Sequence, residues 1–282
     1  MTSSFFAPAL VALALALSGC AQTPASAIDA QAQLDAALRS RPIVLLGEVH
    51  DNAPQHALRA QALRSLIAGG ARPALLMEQF DRERQADLDR ALAQPGATPD
   101  DVIAAATPAD PAMQGWSWPL YKPYIALAIE YRLPIVAANV SRTDTRRVLK
   151  EGLSALGFDA RVPADIDAAQ ASAIVAGHCG MIDRPQAGRM VGAQIARDQF
   201  MARAIEANAA RGAVLIAGNG HVRRDVGVPR WMGEATRARS IAIGLLEPGD
   251  PDAAAYDLAL TMPAQPRTDP CDAMRAPPPP RP

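Results

Sequence analysis

The sequence lacks an excess of charge of either sign and has few aromatic residues. It contains 28 Lys and Arg residues against 29 Asp and Glu residues, a formal net charge of −1 over 282 residues. A nucleic-acid-binding protein is expected to carry a basic face, so we expect no nucleic-acid partner. Aromatic residues make up only 4% of the chain, yet Trp116, Trp118, Tyr121 and Tyr124 lie close together. This cluster is therefore a candidate apolar binding surface.

Several common cofactor and catalytic motifs are also missing. No Cys-x-x-Cys-His occurs, which excludes covalent attachment of a c-type haem. Neither His-Glu-x-x-His nor Gly-x-Ser-x-Gly is present, so the common zinc proteases and α/β-hydrolases are disfavoured. There is no Walker loop, and in Gly218-x-Gly220-x-x-Arg223 an arginine replaces the third glycine of a dinucleotide fingerprint.

The first residues have the features of an export signal. Residues 5–17 are almost entirely apolar, which suits a signal peptide better than a membrane span. Leu17-Ser18-Gly19-Cys20 resembles the lipobox of bacterial lipoproteins, which implies that residues 1–19 are removed and that Cys20 is acylated, for example with palmitate. Residues 20–27 would then form a lipidated tether. Ala21 after the cysteine suggests the outer membrane of a Gram-negative bacterium; an ordinary secretory signal is the alternative.

Two further cysteines, Cys179 and Cys271, can pair in an oxidising periplasm. However, Cys271 lies in the Pro-rich segment 263–282, which ends in Pro-Pro-Pro-Pro-Arg-Pro and is predicted to be disordered. This position disfavours the disulfide.

Short apolar runs alternate with amphipathic segments along the rest of the chain. Strands are predicted at 42–46, 73–77, 134–138, 213–217, 241–246 and 256–261. Strands that alternate with helices predict an α/β fold with a mostly parallel sheet and helices on both faces. A helical region is inserted at 143–176. We expect a single domain over residues 28–262.

Two of the four histidines follow predicted strands in the same Gly-x-x-His pattern. Glu48 and His50 follow the first strand, and Asn219 and His221 follow the fourth. In an open parallel sheet, ligands lie outside the carboxyl ends of the strands, so both units are expected to face one pocket. Further polar residues near strand ends are expected to line it: Glu78, Asn139 and His56.

The same residues permit metal-assisted hydrolysis. His50 and His221 can bind a divalent metal as neutral imidazoles, with Glu48 or Glu78 as a third ligand or general base. His56 either completes this site or forms a hydrogen bond at the start of the next helix. The spacing leaves both alternatives open.

His178 lies apart from these residues, on a predicted loop between helices. One interpretation is a buried, hydrogen-bonded histidine. The other is an axial ligand of haem iron, a role that His, Tyr, Met and Cys side chains can all fill.

Taken together, these motifs resemble those of the ChaN-like haem-binding lipoproteins. The resemblance spans residues 40–245, and the lipobox agrees with it. The family is similar in fold to the Tiki/TraB metalloproteases and the erythromycin esterases. The motifs that carry the resemblance occur in the family's order: Leu-Leu-Gly-Glu-Val-His-Asp-Asn with His56, Met77-Glu78-Gln79-Phe80, Trp116-x-Trp118-x-x-Tyr121, Ala138-Asn139-x-x-Arg142, Gly177-His178-Cys179-Gly180-Met181 and Gly218-Asn219-Gly220-His221-Val222.

The resemblance implies a membrane-anchored haem-binding lipoprotein of iron acquisition, with haem in a polar pocket or between the subunits of a homodimer. The resemblance implies a Tyr or His ligand of the iron, for which His178, Tyr121 and Tyr124 are the candidates here, and Arg142 is a candidate partner of a haem propionate. We favour non-catalytic haem binding. The alternative hypothesis is a metal-dependent hydrolase that uses Glu48, His50, Glu78 and His221.

Overall fold

A computed structural model of the protein describes residues 27–108, 115–269 and 271–272. The predicted signal peptide, most of the tether and Cys20 lie outside these residues, as do residues 273–282 of the predicted Pro-rich tail. Within the described ranges, no helix is both long enough and apolar enough to cross a membrane.

The centre of the fold is a six-stranded sheet in which all neighbouring strands run parallel. This confirms the predicted α/β architecture. The strand order is β3-β2-β4-β1-β5-β6, so the strands that precede the two Gly-x-x-His units, β1 and β4, are direct neighbours. The strands are β1 Ile43–Leu46, β2 Ala74–Asp81, β3 Ile135–Asn139, β4 Ala213–Ile216, β5 Ser240–Leu246 and β6 Leu258–Thr261.

Helices connect the strands, and side-chain caps start several of them. The Asn52 side chain accepts the N–H of Gln55 at the start of α2, and capping boxes start α4 and α8. The helices are α1 Ala27–Ser40, α2 Ala53–Ala68, α3 Gln85–Leu92, α4 Pro99–Ala106, α5 Trp118–Tyr131, α6 Arg142–Glu151, α7 Ala164–Gly177, α8 Arg184–Asn208, α9 Asn219–Val222 and α10 Glu234–Ala238.

Side chains of the central strands alternate between two apolar layers. Val44 and Leu46 pack with α1, α2 and α5, whereas Ile43 and Leu45 pack with the C-terminal half of α8. This alternation follows from the two-residue period of a strand and places helices on both faces, as predicted. Each fully buried Leu or Ile contributes about 1.5–3 kcal/mol by leaving water.

The inserted helical region forms a third apolar cluster beside the sheet. It joins α6, α7 and the N-terminal half of α8, with Phe158, Ile166 and Ile195 at its centre. Helices α7 and α8 form a hairpin whose tip, residues 174–182, lies at the surface. Met181 at this tip is 55% exposed.

The chain after β6 is held against the domain. The Arg267 side chain forms ion pairs with Asp51 and Glu247, both at 2.7 Å. Cys271 forms a disulfide with Cys179 at the hairpin tip, although the Pro-rich sequence disfavoured this bond. The physical reason is that the Arg267 ion pairs, not the local composition, fix the path of the segment towards the hairpin.

Candidate functional site

Residues predicted to share a pocket line one cavity at the carboxyl ends of the strands. Its volume is about 560 Å³. Strand β2 is longer than predicted, because its pairing with β3 shifts register between Met77 and Asp81, and Glu78 emerges within this irregularity. Trp116, Gln194 and Arg197 also line the cavity. The predicted residues that line it are Glu48, His50, Glu78, Asn139, Asn219 and His221.

The Glu48 side chain is buried at the base of this cavity. One carboxylate oxygen accepts the Tyr121 hydroxyl at 2.5 Å and the Nδ1–H of His50 at 2.8 Å. The other oxygen forms an ion pair with Arg59, whose side chain is completely buried, and lies 3.6 Å from Nε2 of His56. Both oxygens are therefore engaged within the protein, which makes Glu48 a positioning group for His50.

The His50 ring is the accessible base of the site. Its side chain is 49% exposed, and its Nδ1–H donates to Glu48, which leaves Nε2 with a lone pair. The ring lies directly over Gly218: a Cβ on that glycine would be 2.9 Å from Cε1 of His50. Trp116 contacts the ring edge-on, with centroids 5.0 Å apart. The glycine is thus required for the imidazole to occupy this position.

His221 is buried between two carboxylates. Its Nδ1–H donates to Asp198 at 2.5 Å, and its Nε2 lies 3.4 Å from Glu78, which also accepts the Gly218 N–H. Burial disfavours the imidazolium, but the charges of Glu78 and Asp198 outweigh it and raise the pKa of His221 to about 10. Burial likewise disfavours the Glu78 carboxylate, but His221 lowers the pKa of Glu78 to about 2. His221 is therefore a fixed cation at neutral pH.

Asp198 is a site residue that the sequence reasoning missed. It lies in the middle of α8 and is completely buried. Val191, Ile195, Asp198, Ala202 and Ile205 form one buried stripe at helical spacing. An acidic residue inside an apolar stripe was the signal that could have revealed it.

His56 does not face the cavity. Its ring is buried beside Tyr121, with centroids 4.9 Å apart, and its Nε2 lies 3.1 Å from the His50 carbonyl oxygen. Burial lowers the pKa of His56 to about 4, so it is neutral at physiological pH. Of the two alternatives, the structure favours an internal hydrogen-bonding role, although Asn52 and not His56 caps the helix.

A family model for haem-binding uptake proteins of the Tiki superfamily, ChaN, matches residues 34–232. The chain belongs to the ChaN family. A comparison with curated proteins gave no match.

The ChaN fold also appears among solved structures. ChaN of Campylobacter jejuni, described as binding haem cofacially, aligns with a TM-score of 0.67 at 17% identity, covering 80% of this chain and 90% of that one. A mutant of the erythromycin esterase EreC gives 0.46 at 15% identity, covering 78% and 76%. The type III effector HopBA1 gives 0.47 at 15% identity, covering 84% and 94%. At these identities the likeness to ChaN of Campylobacter jejuni shows the fold alone.

The tyrosines proposed as haem ligands are inside the ChaN fold and not at its surface. Tyr121 and Tyr124 are both completely buried. Tyr121 donates to Glu48, and Tyr124 donates to the carbonyl oxygen of His56 at 3.1 Å. Burial raises the pKa of both hydroxyls, which disfavours the phenolate that binds iron. In this arrangement neither hydroxyl can reach iron outside the domain.

The other haem candidates are separate from the strand-end cavity. His178 lies at the tip of the α7–α8 hairpin, where it is partly exposed and Nδ1–H donates to the Ile174 carbonyl at 2.7 Å. Arg142 begins α6 and lines a neighbouring groove. The four residues predicted to bind haem therefore lie in three separate places. Tyr121 and Tyr124 are in the core, His178 is at the hairpin tip and Arg142 is in a groove.

The described residues of this ChaN-family chain contain no group of three or more His, Cys, Asp or Glu side chains arranged to hold a metal ion. The physical reason is that the candidate ligands are paired with each other or with core residues. Glu78 binds His221, and Glu48 binds Arg59. The divalent-metal alternative is thus not supported by the arrangement of these side chains.

Proposed function

We propose that this protein binds haem for iron uptake and that His178 is the axial ligand of the iron. The observation that carries the proposal is the state of His178 in a chain of the ChaN family. Its Nδ1–H is held by the Ile174 carbonyl, so Nε2 carries the lone pair. Metal-binding histidines typically have their other ring nitrogen fixed in this way.

The surroundings of His178 suit a porphyrin, which needs apolar surface against its faces. The hairpin tip combines exposed Met181 with the partly exposed side chains of Ile174, Val175 and Ile182. Met181 is the exposed large apolar side chain of this tip, whereas Ile174, Val175 and Ile182 pack against the third apolar cluster and offer only part of their surface to a ligand. At the strand-end cavity, by contrast, the apolar face of a porphyrin would pack against charged side chains.

We further propose a second copy of the chain as the cover for the outer haem face, and membrane attachment through Cys20. A haem held on an exposed tip leaves one face open to water, and a second haem-bearing tip would close it. Haem bound cofacially is described for ChaN of Campylobacter jejuni. The lipid anchor rests on the sequence around Cys20, which suggests the outer membrane.

A haem titration followed by Soret absorption tests the proposal. Of the four histidines, His50 and His178 are the two with solvent-accessible rings, so they form a matched pair. We expect saturable binding near one haem per chain, weakened at least about tenfold by His178→Ala, which corresponds to one lost iron bond of modest strength. His50→Ala should leave the affinity unchanged. Loss of binding in His50→Ala but not in His178→Ala would refute the assignment.

A second candidate function, hydrolysis without a bound metal, is favoured by the Glu48–His50 contact. A half-exposed imidazole whose Nδ1–H is held by a carboxylate is arranged as a general base at Nε2. His221 lines the same cavity, but its charge is already compensated by Glu78 and Asp198. On a substrate identified by screening, His50→Gln should abolish turnover and His178→Ala should not. Equal turnover in His50→Gln would reject His50 as the base.

A further inference from the structure

A second cavity adjoins the strand-end cavity and shares a wall with it. It has a volume of about 350 Å³ and lies between the ends of β2 and β3 and helix α8. Trp116, Asn139 and Arg197 line both cavities. We call the second cavity the Arg142 groove. A ligand placed in the groove can therefore extend past Trp116 to His50.

The Arg142 groove contains two guanidinium groups that form no ion pair with any residue the structure describes. Neither Arg142 nor Arg197 has a carboxylate within 4.0 Å among the described residues, whereas nearby Arg82 pairs with Asp144 at 2.6 Å. The Arg197 side chain donates one long hydrogen bond, to Oε1 of Gln194 at 3.5 Å. Asp81 is the acidic side chain among the described lining residues, and it interacts with both arginines only at longer range. The described lining residues thus carry one more positive than negative charge.

The lining of the groove includes the buried side-chain amide of Gln79, which has no well-formed hydrogen bond in the described structure. Gln79 is only 5% exposed, and neither polar atom of its side chain has a hydrogen-bond partner in the described structure. The Tyr121 hydroxyl, which donates to Glu48, lies within reach of only a weak hydrogen bond from the Gln79 amide. Oδ1 of Asn139 is also without a partner. Buried amides are nearly always hydrogen-bonded, so a bound group is expected to complete them.

We propose that the Arg142 groove binds the carboxylate or phosphate of a small organic anion whose other end lies beside His50. The guanidinium groups of Arg142 and Arg197 supply charge-assisted donors, and the Gln79 amide supplies a neutral one. Trp116 offers the ligand an apolar face between the two cavities. The proposal is independent of haem binding at His178.

Isothermal titration of the full chain with benzoate and with inorganic phosphate, at constant ionic strength, tests the site. We expect saturable binding of at least one probe. Arg197→Gln and Arg142→Gln should each weaken it by about tenfold, the usual effect of losing one charge-assisted hydrogen bond. Arg189→Gln is the matched control, because Arg189 lies on the same helix but outside the groove. It should bind like the wild type.

A variant of Gln79 separates binding from folding. Gln79→Leu removes a buried amide that has no well-formed hydrogen bond in the described structure, so it should weaken probe binding without lowering the melting temperature. Absence of saturable heat with both probes would overturn the proposal, and so would equal weakening by Arg189→Gln. If Arg142→Gln and Arg197→Gln weaken haem binding while neither probe binds, the groove serves haem propionates and the small-anion proposal is wrong. Failure of the His178 assignment would leave these results unaffected.

Discussion

Neutralising Glu48 should destabilise the fold far more than removing a surface carboxylate. In Glu48→Gln the shape of the side chain is kept, but Arg59 loses its counter-ion. Arg59 is completely buried, and its remaining hydrogen bond to protein is to the Leu46 carbonyl at 3.1 Å. The substitution therefore leaves an uncompensated cation in the interior beneath β1.

The expected loss can be estimated from the burial of both partners. Removing one member of a buried ion pair typically costs about 3–5 kcal/mol, because the other charge stays desolvated. Domains of this kind are stable by only about 5–15 kcal/mol, so the loss is a large fraction of the total. In the double variant Glu48→Gln/Arg59→Met no buried charge remains. Its loss should be clearly smaller than the sum of the two single losses.

Urea denaturation followed by circular dichroism measures these losses. The control is Glu130→Gln, since Glu130 pairs with Arg64 at the surface with both side chains about half exposed. Such pairs contribute about 0–1 kcal/mol. If Glu48→Gln falls within 1 kcal/mol of the wild type, like the control, then Glu48 and Arg59 do not form the buried pair on which this reasoning depends.

Three further predictions concern pH, backbone space and the disulfide. His56 has its pKa lowered from 6.5 to about 4, so its stabilising effect is complete above pH 6.5 and is lost as the pH falls towards 4. Urea unfolding should show this loss, up to about 3 kcal/mol, in the wild type and not in His56→Gln. Gly218→Ala should displace His50 and shift its NMR signals, because the added Cβ would lie 2.9 Å from the ring, whereas Gly220→Ala meets nothing within 4 Å and should not. Cys271→Ser opens a loop of 92 residues and should lower stability by about 2–5 kcal/mol in urea unfolding under oxidising conditions; an unchanged midpoint would contradict the bond.

The sheet could be predicted from the sequence because its strands have a local signature. The central strands β1 and β4 are short, fully buried runs, and Ile43–Leu46 lies directly between Pro42 and Gly47. Their polar ends could be predicted to share a cavity, since parallel strands bring their carboxyl ends to one edge. These predictions need no knowledge of side-chain partners.

The partners of the site residues could not be predicted, because they depend on contacts between distant segments. Arg59 and Asp198 lie on amphipathic helices, in the middle of buried stripes, and nothing in the local pattern says which charge each will meet. The burial of Tyr121 and Tyr124, which were predicted as haem ligands, depends on contacts of the same kind. The aromatic cluster is visible in the sequence, but only the fold shows that the apolar side of α5 places both rings in the core.

The two histidines with accessible rings, His50 and His178, lie in surroundings of opposite polarity. They are therefore expected to favour different classes of ligand. His50 faces a cavity lined by Glu48, Glu78 and Asp250, where the apolar face of a porphyrin would pack against charged side chains. His178 lies beside the exposed apolar side chain of Met181, where a small anion would find little to hold it. Large apolar ligands are thus disfavoured at the strand ends and small anions at the hairpin tip. Haem binding at one and anion binding near the other need not compete, so each can be removed by mutation while the other is measured.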